Sequence, residues 1–125
     1  MLTKNKVIIT IAVHDIENSM DFYGDVLGLK KVGESRGGIL FECGGATIGL
    51  YQSTTAGTGL STCAWWIVDD VETTVKGLRA RGVTFDKNYD IPHAKSKGDI
   101  YDMGEGKKAA WFKDIDGNVL GLGNF

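Results

Sequence analysis

The chain has 125 residues, 42% of them hydrophobic and 24% charged, enough for one globular domain with a real core. A formal net charge of −2, with no block dense in Lys or Arg, argues against a nucleic-acid partner. One proline against 18 glycines leaves most of the turning to glycine.

The N-terminal stretch MLTKNKVIITIAVHD starts basic and carries a short apolar run. The run alternates, ends in charge and is followed by no small-residue cleavage site, so no signal peptide is expected. No apolar run approaches the length of a membrane span. Cys43 and Cys63 lack metal-motif spacing and are too few for a disulfide framework. They read as reduced thiols of a cytoplasmic protein.

Residues 6–13, a β-branched run, predict a buried strand with Val7, Ile9, Ile11 and Val13 on the core side. Asp15 is placed as a helix N-cap, Ile16, Met20, Tyr23 and Leu27 share one face, and Gly28 ends the helix. Strands are expected over residues 30–34 and 38–43, and the Gly44-Gly45 turn leads into a strand over 46–52. Residues 54–61 read as a small-residue linker. The pattern then restarts with a strand over 62–68 and a helix bearing Val71, Val75 and Leu78, closed by Gly82. After a short strand comes a long polar segment, residues 86–108, which reads as a lid or specificity loop. A strand, a turn at Asp116-Gly117 and a last strand finish the chain.

The restart is an internal repeat. A shift of 55 residues lays Val13, Asp15, Ile16, Glu17, Ser19 and Met20 on Val68, Asp70, Val71, Glu72, Thr74 and Val75. A shift of 72 lays Ile48-Gly49-Leu50 on Leu120-Gly121-Leu122. The expected architecture is α+β: two βαβββ modules forming one curved mixed sheet with helices on its convex side. Residues 1–125 would be one domain, with module one ending near 53 and module two starting near 62.

Two signatures carry a family resemblance. VHDIENSMDFYGDVLGL is similar to V-x-D-h-x-x-S-x-x-F-Y-x-x-x-L-G-h (h apolar), and FKDIDGNVLGL is similar to F-x-D-P-D-G-N-x-h-E-h, with Ile115 in place of proline. On these the chain resembles, over nearly its whole length, the vicinal oxygen chelate superfamily: glyoxalase I, extradiol dioxygenases, and fosfomycin-resistance and bleomycin-binding proteins. The resemblance implies a cleft on the concave sheet, where the family's enzymes hold a divalent metal with His, Gln or Glu from the first and last strand of each module. Carried onto this chain, those places fall on Ile8, Gly49, Cys63 and Gly121. Only Cys63 has a donor atom, and no neighbouring position restores a set, so no metal and no cofactor are expected.

Strand alternation assigns the cleft lining. Ile8, Thr10 and Ala12 face it from the first strand, Thr47, Gly49 and Tyr51 from the fourth, Cys63, Trp65 and Ile67 from the fifth, and Val119 and Gly121 from the last. Either Trp111 or Phe112 joins them, Trp111 being favoured, and the long loop adds Tyr101 and His93. Two glycines would open the floor to a flat ligand, with Trp65 and Tyr51 as stacking surfaces. The metal-free, bleomycin-binding branch of the resembled family binds drugs at a homodimer interface. A metal-free binder of a planar or aromatic small molecule, possessing no catalytic group and dimerising with its own kind, is the reading preferred. The alternatives are a metal-dependent lyase or dioxygenase, and a metal-free enzyme using Cys63 or His93.

Overall fold

The computed structural model describes residues 1–35, 37–87, 91–92 and 94–125, except for the side chain of Ser35. In chain order come β1 (Ile9–Val13), α1 (Ile16–Met20), which continues as wider π-helical turns over Asp21–Val26, then β2 (Lys30–Ser35), β3 (Gly38–Cys43) and β4 (Ala46–Gln52). The second half holds β5 (Thr62–Ile67), α2 (Val71–Ala80), β6 (Phe85–Asp86), β7 (Lys95–Lys97), β8 (Ile100–Gly104), β9 (Lys107–Lys113) and β10 (Val119–Gly123). One sheet runs β1-β4-β3-β2; the other runs β5-β10-β9-β8-β7, with β6 also on β9. In each, the module's first strand lies parallel to its last, and the remaining pairs are antiparallel. The α+β fold of two repeated modules is therefore present. Among the described residues the strand pairing keeps the modules as two separate sheets, where the sequence suggested one continuous sheet.

The repeat extends to atomic detail. Asp15 and Asp70 both sit in extended conformation, at φ −132° and −130°, and both cap a helix. Asp15 accepts from the N–H groups of Glu17 and Asn18, and Asp70 from that of Thr73 at 2.9 Å. A short polar side chain that accepts the first orphan N–H groups is what starts a helix there. Gly44 and Gly45, at φ +53° and +82°, make the tight two-residue turn that joins β3 to β4.

One apolar cluster serves both modules. It includes Ile11, Val13, Phe41, Ile48 and Leu50 from the first sheet, Ala64, Phe112, Leu120 and Leu122 from the second, and Tyr23, Val71 and Val75 from the helical segments. Two expectations need correction here. Val7 is 80% exposed and Ile9 37%, so the core stripe of β1 begins at Ile11. Among the described residues β1 has a strand neighbour on one side only, and its pairing with β4 starts at Ile9. The long polar segment also contains regular structure: β7 and β8 form a hairpin, pairing Lys95 with Asp102 and Lys97 with Ile100. Lys95, Ser96 and Lys97 are all exposed, so this edge strand shows no alternation for sequence reasoning to detect.

The turn between β9 and β10 ties the modules together. Asp114, 6% exposed, accepts from the Tyr23 hydroxyl at 2.7 Å, from Asn118 Nδ2 at 2.8 Å, and from the N–H groups of Asp116 and Asn118. Asp116 accepts from the His14 N–H and lies 2.7 Å from His14 Nδ1; Asn118 Nδ2 donates to Ala12 O at 2.7 Å. Burial, and then the Asp114 charge, hold the Tyr23 phenol far above its usual range, so it stays a donor. Gly57 of the linker packs on this turn at φ +71°, where a Cβ would lie 1.7 Å from Asp116 O. No other residue type fits that contact.

Candidate functional site

The faces turned away from the shared core carry the candidate site. Strand register sets out the same three-residue row in each module. In module one Thr10, Gly49 and Leu40 lie side by side across β1, β4 and β3. In module two Trp65, Gly121 and Trp111 lie side by side across β5, β10 and β9. Thr10 and Trp65 are related by the first repeat shift, and Gly49 and Gly121 by the second.

The module-two row is an aromatic cluster. Trp65 lies 5.6 Å from Trp111 and 5.7 Å from Phe125 between ring centroids, and Tyr101 meets Trp111 edge-on at 5.4 Å. The indole N–H of Trp65 donates to Phe125 O at 3.0 Å, and that of Trp111 to Thr62 Oγ1 at 3.1 Å. Each indole thus has its apolar body against tilted or edge-on aromatic neighbours and its polar edge satisfied. Trp111 is on this face and Phe112 in the core, where it is 1% exposed.

The expectation of an open floor does not survive for Gly121. A Cβ there would lie 2.7 Å from Trp65 Cε3 and Cζ3, and one on Gly123 would lie 2.5 Å from Trp65 Cζ2. The chain's own indole therefore covers both glycines, and their lack of side chains makes room for Trp65. At Gly49 a Cβ would meet Ile8 Cγ2 at 3.3 Å and Leu40 Cδ2 at 3.4 Å, so that floor is also partly roofed. Of the other sequence-derived lining residues, Tyr51 (44% exposed), Ile67 (75%), Ile8 (41%) and Thr10 are open to solvent. Tyr101 is 2% exposed and packs edge-on against Trp111, so it offers no surface to a ligand. His93 lies outside the described residues.

The metal-binding places of the resembled enzymes can be tested on side-chain chemistry. Ile8 has no donor, and Gly49 and Gly121 have no side chain. Among the described residues no group of three His, Cys, Asp or Glu side chains is placed to hold a metal ion. Cys63 is accessible, but its Sγ donates to Val119 O at 3.3 Å. Burial, and then the charge of Asp114, push its thiol pKa up, so it is a poor thiolate ligand and a poor nucleophile near neutrality. The residues present do not fit the metal.

Sequence reasoning missed Phe125, Gly123 and Leu40. Leu40 could have been read from alternation in its strand, and Gly123 from its spacing two residues beyond Gly121 on the same face. Phe125, which lies beyond β10 and meets Trp65 only in three dimensions, leaves no periodic signal.

Comparison with known proteins is consistent with this geometry. No curated protein matches the chain in sequence. TnmS3, an antibiotic binding protein from Streptomyces sp. CB03234, is 25% identical and superposes with a TM-score of 0.67 over 98% of this chain and 96% of its own. A superfamily member from Sphaerobacter thermophilus is 26% identical, with a TM-score of 0.70 over 98% of each chain. Lactoylglutathione lyase from Agrobacterium tumefaciens, at 17% identity and a TM-score of 0.67 over 96% of this chain and 92% of its own, shares the fold. The family model for the Glyoxalase/Bleomycin resistance protein/Dioxygenase superfamily matches residues 7–122, and the chain belongs to that superfamily.

Proposed function

We propose that this chain, as a single domain over residues 1–125, is a metal-free small-molecule-binding protein that sequesters an antibiotic or another planar natural product. The observation that carries the reading is the donor set. Where the superfamily's enzymes would need four metal ligands, this chain has Ile8, Gly49, Cys63 and Gly121, with the last covered by an indole. Binding needs no acid, base or nucleophile, so the raised thiol of Cys63 is no obstacle to it. The antibiotic-binding activity of TnmS3, at 25% identity, supports the same reading.

The ligand surface proposed here differs from the one expected from sequence. The ligand does not lie on the glycines. It meets the outer faces of Trp65 and Trp111, which are partly exposed, together with Tyr51, Ile8 and Ile67, which are exposed in a single chain. A homodimer would complete the cleft: among the described residues β1 and β5 are edge strands, each paired on one side, and both carry exposed apolar residues. The protein proposed is cytoplasmic and cofactor-free. No helix among the described residues is long and apolar enough to cross a membrane.

The test begins with metal content. Untagged protein offered Zn, Ni, Mn and Fe(II) and then desalted is expected to keep no stoichiometric metal. One metal per chain would overturn the reading and favour a lyase or dioxygenase. The metal-free protein is then titrated with a panel of planar aromatic antibiotics while tryptophan emission is followed. Saturable quenching that is lost in Trp65→Leu is the expected result; no quenching by any of them would count against sequestration of this ligand class.

A further inference from the structure

We infer that the chain carries a second small-molecule site, on the helix side of the second sheet, shaped for one uncharged six-membered-ring hydrophobe. A cavity of about 120 Å³ lies there at the junction of the modules. Leu27 and Leu29 wall it from the first module, and Trp66, Leu78 and Phe112 from the second. Trp66 and Trp65 are strand neighbours and point to opposite faces, so this site and the proposed cleft share no side chain and stand or fall separately.

Size, polarity and shape point to the same occupant. An engineered cavity of ~150 Å³ lined by Leu, Ile and Phe stays dry and binds benzene. The present cavity is of that scale, enough for one ring, and it opens to solvent on one side. A water molecule would need two to four polar partners to stay. The one hydroxyl in the lining belongs to Thr74, and its hydrogen is already donated to Asp70 O at 2.8 Å. Trp66 and Phe112 stack at 6.4 Å with 27° between their planes, which gives the cavity a flat aromatic wall suited to a planar ring. The opposite wall is held in place: Arg81 Nη1 donates to Val26 O at 3.2 Å and ties the end of α2 to the end of the first helical segment, beside Leu27.

The experiment titrates toluene into the full chain with ¹³C-labelled leucine methyl groups, read by NMR, alongside thermal melts. Saturable shifts at the methyls of Leu27, Leu29 and Leu78 are expected, with a Tm that climbs with toluene concentration. Thr74→Met, which puts a longer side chain into the lining, is expected to lose both responses. Should that variant fail to fold, the wild-type methyl map decides alone. Shifts confined to residues beside Trp65 and Trp111, or no saturable shift, would overturn the site. So would intermolecular contacts showing that a second copy of the chain fills the cavity and leaves toluene unbound.

Discussion

Gly49 and Gly121 occupy the same place in two copies of one module, flanked by the same residue types along the strand, yet they are glycines for different reasons. Beside Gly121 the neighbouring strand presents Trp65, and the indole lies across the backbone of β10. Beside Gly49 it presents Thr10, and only the ends of Ile8 and Leu40 approach. A duplicated scaffold has thus kept its pairing and diverged in what fills the concave side. Module two fills its own floor with protein, while module one leaves Thr10, Tyr51 and Ile8 open to a visitor. The difference teaches that a strand glycine marks a close approach without saying what approaches.

The comparison can be broken by adding one methyl group at a time. The largest effect is expected at Gly123→Ala, where the new Cβ would meet both the Trp65 ring and Lys108 O at 2.8 Å, a backbone atom that cannot step aside. A loss of about 3 kcal/mol in urea denaturation is the expected result. Gly121→Ala, which meets only side-chain atoms, should cost about 2 kcal/mol. Most of that cost should vanish in a Trp65→Leu background, and additivity of the two substitutions would refute the contact. Gly49→Ala should change stability by less than about 1 kcal/mol, because Ile8 and Leu40 can shift and the alanine narrows the unfolded ensemble. If Gly49→Ala were as costly as Gly121→Ala, the two floors would be alike after all.

The smallest effect concerns the first-strand pair, Ile8 and Cys63. With its thiol held above the usual cysteine range by burial and by Asp114, Cys63 should react with iodoacetamide at pH 8 more slowly than the same residue in the unfolded chain. The sign for stability follows. A raised folded-state pKa gives a contribution that is complete below the unfolded cysteine value and is lost as pH rises through the folded one. Tyr23, shifted in the same direction, acts likewise at still higher pH. Denaturation midpoints measured from pH 7 into the alkaline range should therefore fall, and a flat profile would contradict both shifts.

Much of this was legible in the sequence because it rests on short-range rules. Asp15 and Asp70 announce helix starts, Gly44-Gly45 announces a hairpin, and the repeat relates Gly49 to Gly121. What sequence could not show was the occupant of a gap. Alternation placed Trp65 on the right face, yet whether its ring would point outward or lie along β10 depends on Trp111, Phe125 and the Phe125 carbonyl, which meet only in three dimensions. The hairpin of β7 and β8 escaped because Lys95-Ser96-Lys97 buries nothing.

The staple around Asp114 also has a consequence for the order of events at the ribosome. His14 is joined to Asp116 across 102 residues of sequence, and Tyr23 to Asp114 across 91. The first module is made before the second, but its helix carries a buried phenol whose acceptor is synthesised 91 residues later. Until Asp114 has been made, that hydroxyl has no native acceptor, and the core shared with the second module is incomplete. Nascent chains stalled before Asp114 should therefore stay sticky and sensitive to protease, and release of the final two strands should close both modules together.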